Sequence, residues 1–162
     1  MNARSGIEVL EALIAATNRR DLDALVDQFA EDVRSDTPAH PARSFVGRDQ
    51  VRRNWQQILG AIGDLQASFV AAAMSPGASV GSETVWAEIA FDGHRPDGLP
   101  WRMRGVTVNE VVDGRIAALR FYLEPVDDAP VDADAAVRRA IAGPTGTPGA
   151  DRVATEVVGA AR

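Results

Sequence analysis

The chain has 162 residues, no cysteine and a formal net charge of -6, and its positive charge is carried by arginine alone. That length is one domain's worth, enough to bury roughly two thirds of the unfolded surface. Its composition excludes disulfides, thiolate zinc sites and cysteine nucleophiles for want of cysteine, and Schiff-base chemistry or a lysine-bearing phosphate loop for want of lysine.

The opening segment, Met1 to Gly6, has no basic stretch followed by an apolar core, so no signal peptide is expected and the cytoplasm is the default location. Ile7, Leu10, Leu13, Ile14 and Thr17 then recur at helical spacing, with Ser5 and Glu8 placed as a capping box, which predicts a helix from Gly6 to Arg19. Asp21 caps a second, Leu22 to Ala30, burying Leu22, Leu25, Val26 and Phe29. Val33 to Asp36 reads as a brief strand, and Pro38 and Pro41 impose an irregular path from Thr37 to Phe45. After Gly47 a helix is expected from Asp49 to Ile62, with Val51, Trp55, Ile58, Leu59 and Ile62 on one face. Leu65 to Met74 reads as a strand.

A β-meander follows: Thr84 to Phe91, a long loop, Trp101 to Val112, a turn at Asp113-Gly114, and Arg115 to Leu123. Asp-Gly between two β-rich runs is a strong hairpin signal, and a two-residue turn sets register. With Val112 opposite Arg115, Val108 pairs with Leu119, Val106 with Phe121 and Arg104 with Leu123. One face then carries Arg102, Arg104, Val106, Val108, Leu119, Phe121 and Leu123; the other carries Met103, Thr107, Asn109, Arg120, Tyr122 and Glu124. The first face needs a cover, and the second can meet water or a partner subunit.

Beyond Pro125 the composition shifts to alanine, aspartate, glycine and proline. Asp132 to Ala142 is expected to form a short helix with Val137, Ala140 and Ile141 as a weak stripe, and Gly143 to Gly149 reads as a linker. The division is therefore a domain over residues 1–127 and a low-complexity tail over 128–162. No apolar run approaches the ~20 residues that cross a bilayer, and the arginines are dispersed, so neither membrane nor nucleic acid is expected as a partner. His40 and His94 are the two histidines, too few to suggest a metal.

Five stretches in this order carry a family resemblance: Asn18 to Leu25 leading to Phe29-Ala30-Glu31-Asp32-Val33, Gly47 to Arg52, Arg104-Gly105-Val106, Val112 to Ile116, and Arg120 to Glu124. Together they resemble the SnoaL-like branch of the nuclear transport factor 2-like superfamily, over Ile7 to Val126. The resemblance implies an α+β cone, in which a strongly curved mixed sheet wraps around the N-terminal and central helices and encloses a small-molecule pocket. It also implies a homodimer packed through the convex sheet face.

The resemblance locates candidate catalytic positions. The general-base aspartate of ketosteroid isomerases falls on Thr37, with Asp36 one residue away; their oxyanion-hole tyrosine falls near Leu13 and its partner aspartate near Val106, so those roles are vacant unless a one-residue slip turns Asp36 inward. In members like limonene epoxide hydrolase, two carboxylates and an arginine activate water. Here Glu88 falls near one carboxylate, Trp86 near the arginine and Phe121 near the second carboxylate. The pocket-facing register of Arg102 and Arg104 supplies an alternative arginine, giving a Glu88 and Arg104 pair as base and oxyanion binder.

The loop from Asp92 to Pro100 leaves the facing of Glu88 open, and an ion pair with Arg120 on the convex side is the structural alternative. His40, between two prolines at the expected cone mouth, is either a general acid or base or a solvated loop residue. Trp55, Trp86, Arg102, Val106, Val108, Leu119 and Phe121 are expected to contact substrate, the tryptophans alternatively being core. The implied function is cofactor-independent acid/base chemistry, whether isomerisation, cyclisation, dehydration or water addition, on a small hydrophobic molecule bearing a carbonyl or epoxide. The alternatives are a non-catalytic ligand-binding protein and a structural dimer of the same fold.

Overall fold

A computed structural model describes residues 4–128 and 131–142, which fall into two units, one ending at Val126 and one beginning at Asp127. Helix α1 (Gly6–Asn18) starts at the expected capping box, with the Glu8 backbone N–H donating to Ser5 Oγ and the Ser5 N–H to Glu8 Oε2. Val9, Leu10, Ala16 and Thr17 are its buried stripe. Helix α2 (Leu22–Val26), capped by Asp21, is shorter than the spacing predicts. Phe29 is taken instead by strand β1 (Phe29–Asp36), where it pairs with Ile116 and is buried; sheet pairing outweighs the local helical pattern there.

A 3-10 turn (Pro41–Arg43) and the two-residue strand β2 (Phe45–Val46) follow, then helix α3 (Arg48–Ala61). The meander consists of β3 (Gln66–Pro76), β4 (Ser82–His94), β5 (Pro100–Val112) and β6 (Arg115–Pro125). The six strands run in the order β2-β1-β6-β5-β4-β3, with β1 parallel to β6 and every other pairing antiparallel. This is the expected mixed sheet, and α1, α2 and α3 bury their apolar stripes in one core with its inner face.

The β5–β6 hairpin departs from the predicted register. Asp113 and Gly114 both have positive φ, 50° and 71°, as a tight two-residue turn of this type requires. Val112 pairs with Arg115 and Val111 with Ile116, but Glu110 then pairs with Ala118, leaving Ala117 as an extra residue. From there outward the facing is reversed: Asn109 pairs with Leu119, Thr107 with Phe121 and Gly105 with Leu123. The reason lies in spacing. Ile116 belongs to the core cluster and Leu119 packs against it, and three residues apart they share a face only if one residue is bulged out.

Polar residues accompany them on the inner face. Asn109 is 2 % exposed, yet its Nδ2 donates to the Val85 carbonyl and to Thr107 Oγ1, so the buried amide is satisfied. Gly105 permits the strand to bend. Its φ is 150°, and a Cβ there would overlap the carbonyl oxygen of Tyr122.

Other side chains fix the helices to this sheet. Asn18 donates to the Ala67 carbonyl and accepts from the Ala67 N–H, acting as an extra strand residue. Arg20, at φ 59°, turns its guanidinium onto the carbonyls of Leu59, Ile62 and Gly63 and so caps the C-terminus of α3.

In the second unit, α4 (Ala133–Ala142) is capped by Asp132, and its Val137 and Ile141 are exposed. The expected linker at Gly143 to Gly149 lies outside the described residues. Among the described residues no helix is long and apolar enough to cross a membrane, and no cluster of three or more histidine, aspartate or glutamate side chains is arranged to hold a metal.

Candidate functional site

A cavity of about 310 Å³ opens between α3 and the inner face of the sheet. Helix α3 contributes Val51, Asn54, Trp55 and Ile58, at helical spacing along one stripe. The sheet contributes Phe29 and Ser35 from β1, Phe45 from β2, Phe91 from β4, Trp101 and Met103 from β5, and Leu119, Phe121, Leu123 and Pro125 from β6. Thr37 and Arg43, from the loop between β1 and β2, complete the lining. Trp55 meets Phe91 edge-on at 5.8 Å and Phe91 lies 6.4 Å from Trp101, so a continuous aromatic wall links the helix to the sheet.

Four lining residues are polar. Ser35 and Thr37 are only 5 % and 9 % exposed, and their hydroxyls have no hydrogen-bond partner among the described residues. No fully enclosed side-chain polar atom lacks a partner among those residues, so both hydroxyls reach the cavity space and are not sealed in the core. The Asn54 Oδ1 accepts from Gln50 Nε2 at 2.8 Å, which leaves the Asn54 amide nitrogen as its free end. Arg43 is exposed at the residue level and makes no side-chain hydrogen bond or ion pair among the described residues.

His40 lies three residues from each of two lining residues, Thr37 and Arg43. Its backbone N–H donates to the Thr37 carbonyl, its own carbonyl accepts from the Arg43 N–H, and its Nε2 lies 3.0 Å from Glu124 Oε1. Glu124 neighbours Pro125 of the lining. Glu124 also pairs with the outward Arg104, so this half-buried imidazole is held by a carboxylate of the outer face, and neither residue is among the lining.

The reversed hairpin register relocates most of the other predicted site residues. Trp55, Leu119 and Phe121 line the cavity as expected. Val106 and Val108 do not; they pair with Tyr122 and Arg120 on the outer face. Arg104 is also outside, with its guanidinium on Asp92 Oδ1 at 2.7 Å and on the Phe91 carbonyl, and Arg102 shares that face. Glu88 pairs with Val106 and is exposed, so the proposed Glu88 and Arg104 pair faces away from the cavity. Trp86 is 43 % exposed on the same outer face. Asp36 alternates with the inward Ser35 and Thr37 and points outward too, so no one-residue slip turns it inward.

Ser35, Thr37, Arg43, Asn54, Trp101 and Met103 were not anticipated as lining. A signal for two of them was present: Val33, Ser35 and Thr37 alternate along β1, so a buried Val33 brings both hydroxyls inward.

On the outside of the fold, Asp64 accepts from the His94 backbone N–H at 2.8 Å and lies 2.7 Å from His94 Nδ1. The hydrogen bond from the His94 side chain, then that from its backbone, holds the Asp64 carboxyl below the usual carboxylate range.

Residues 10–119 match the SnoaL-like domain model, and the chain belongs to that family. No curated protein matches it. Among solved structures it is similar to a candidate isomerase from Bacillus subtilis, with 28 % identity, a TM-score of 0.60, and 73 % of this chain and 85 % of that one covered. IdmH, a candidate polyketide cyclase from Streptomyces antibioticus, gives 19 % identity and a TM-score of 0.63 over 75 % of this chain and 93 % of its own. A candidate scytalone dehydratase from Novosphingobium aromaticivorans gives 15 % and 0.64 over 78 % and 87 %. The last two share the fold.

Proposed function

We propose that this chain is a cofactor-independent enzyme that binds a small, largely apolar carbonyl compound in the cavity and moves a proton on the carbon next to that carbonyl. The observation that carries this reading is the pair of nearly buried hydroxyls, Ser35 and Thr37, that open without a protein partner into an otherwise apolar, aromatic-walled space. Such groups orient a ligand oxygen and stabilise charge developing on it, and their surroundings exclude bulk water. The Asn54 amide nitrogen supplies a third donor. We assign the taking and returning of the proton to His40, the imidazole on the loop that carries Thr37 and Arg43. Isomerisation, cyclisation and dehydration of carbonyl compounds can all begin with this step. Epoxide hydrolysis by paired carboxylates is not favoured, because among the described residues no carboxylate lines the cavity.

The test is deuterium exchange in D2O at the protons beside the carbonyl of 2-tetralone, followed by NMR. The protein should accelerate exchange over buffer, and His40→Asn should return it to the buffer rate. A second reading, a non-catalytic binding protein, is favoured by the lack of any imidazole or carboxylate among the described lining residues. Binding of 2-tetralone with no acceleration of exchange would select it.

We also infer that two copies pair through the outer sheet face. In support, Trp86 and Tyr122 stand 43 % and 42 % exposed there, and the pairings Trp86 with Val108 and Val106 with Tyr122 place the two valines between them.

A further inference from the structure

Among the described residues Arg43 is the only charged one on the cavity lining, and its guanidinium is engaged by none of the others. Arg20, Arg52 and Arg104 are held by carbonyls, Asp23 and Asp92, while Arg34 and Arg120, which no side chain among the described residues engages, lie off the lining. On a chain of net charge -6, carboxylates are plentiful, yet none among the described residues is placed on Arg43. Building on the reading of the cavity as a ligand site, we propose that the ligand is an aromatic or alicyclic carboxylate, its carboxylate seated on Arg43 and its ring inserted toward Trp55, Trp101 and Phe121.

Three features favour this class. A guanidinium presents paired N–H donors that match a carboxylate in plane, a geometry neither a neutral oxygen nor a cation can use as fully. The remaining polar groups of the lining add donors, the Ser35 and Thr37 hydroxyls and the Asn54 amide nitrogen, while among the described residues no carboxylate on the lining repels an anion or attracts a cation. The aromatic wall built on Phe91 fits a flat ring better than a flexible chain. The acidic net charge gives an anion no long-range attraction, so its recognition must be local to Arg43.

Isothermal titration calorimetry on the full chain with 2-naphthoate and its neutral counterpart 2-naphthamide tests the proposal. The wild type should bind 2-naphthoate at least tenfold more tightly than 2-naphthamide. Arg43→Gln should remove that preference, and Arg43→Lys should restore part of it. Arg43 holds no other side chain in place, and circular dichroism of each variant confirms that the fold is retained. Equal affinity for the two compounds in the wild type, or a preference that survives Arg43→Gln, overturns the carboxylate assignment while leaving the cavity a ligand site. Failure of both compounds to bind overturns the cavity reading together with it.

Discussion

The Nε2 of His40 lies 3.0 Å from Oε1 of Glu124, tying the loop after β1 to the end of β6. Both side chains are more than a third exposed, so the contact contributes little to stability. Its consequence is orientational. Glu124→Gln should change the urea-unfolding free energy by less than about 1 kcal/mol, while lowering 2-tetralone exchange by about 10- to 100-fold. A rate equal to wild type would show that the carboxylate does not position the imidazole.

Ala117 is an extra residue bulged out of the β5–β6 pairing. Deleting it would close the bulge while keeping Glu110 opposite Ala118 and Asn109 opposite Leu119, so Leu119, Phe121 and Leu123 go on facing the cavity. The loss should stay below about 3 kcal/mol, since no core position becomes polar. Near-ultraviolet circular dichroism should keep the signature of fixed aromatic packing in the deletion variant, and its loss would contradict the reading of Ala117 as an unpaired extra residue. Ala117→Ser should keep the wild-type spectrum, because Ala117 serves there as a spacer.

That bulge also marks where the sequence stopped being legible. Helix positions, the capping box at Ser5 and the Asp113-Gly114 turn are local signals, and the local chemistry that predicts them also forms them. The facing of β5 and β6 is not local. It depends on whether Ile116 and Leu119 are buried on the same side, and Thr107 and Asn109 look like solvent-facing residues until their mutual hydrogen bond is seen. One displaced residue therefore moved Val106, Val108, Arg102 and Arg104 from the expected cavity to the outer face. Trp55 was placed correctly because a helix face follows from spacing alone. Arg43 sits in an irregular loop between elements, where no periodicity indicates direction.

The Asp64 and His94 contact predicts a pH effect on stability. The Asp64 carboxyl is held below its ordinary value by His94, so its contribution is present above the unfolded-state pKa and is lost as pH falls through the lower folded-state value. Thermal melts of wild type and Asp64→Asn should therefore differ near pH ~5 and converge below pH ~2. A gap that persists at the acid end would mean that the contact acts by some route other than carboxylate ionisation.

Outer-face pairing makes a separate prediction. Replacing Trp86 and Tyr122 together by aspartate should shift sedimentation velocity from a dimer to a monomer and leave 2-naphthamide binding intact, because neither residue lines the cavity. A wild-type protein that sediments as a monomer would remove the basis for that interface.

The most direct measurement is a crystal structure of the chain with 2-naphthoate. Density for the ring against Trp55, Trp101 and Phe121, with the carboxylate on Arg43, is the expected result. A ligand bound elsewhere, or a cavity closed by its own aromatic side chains with no ligand inside, would contradict the assignment of this space as the functional site.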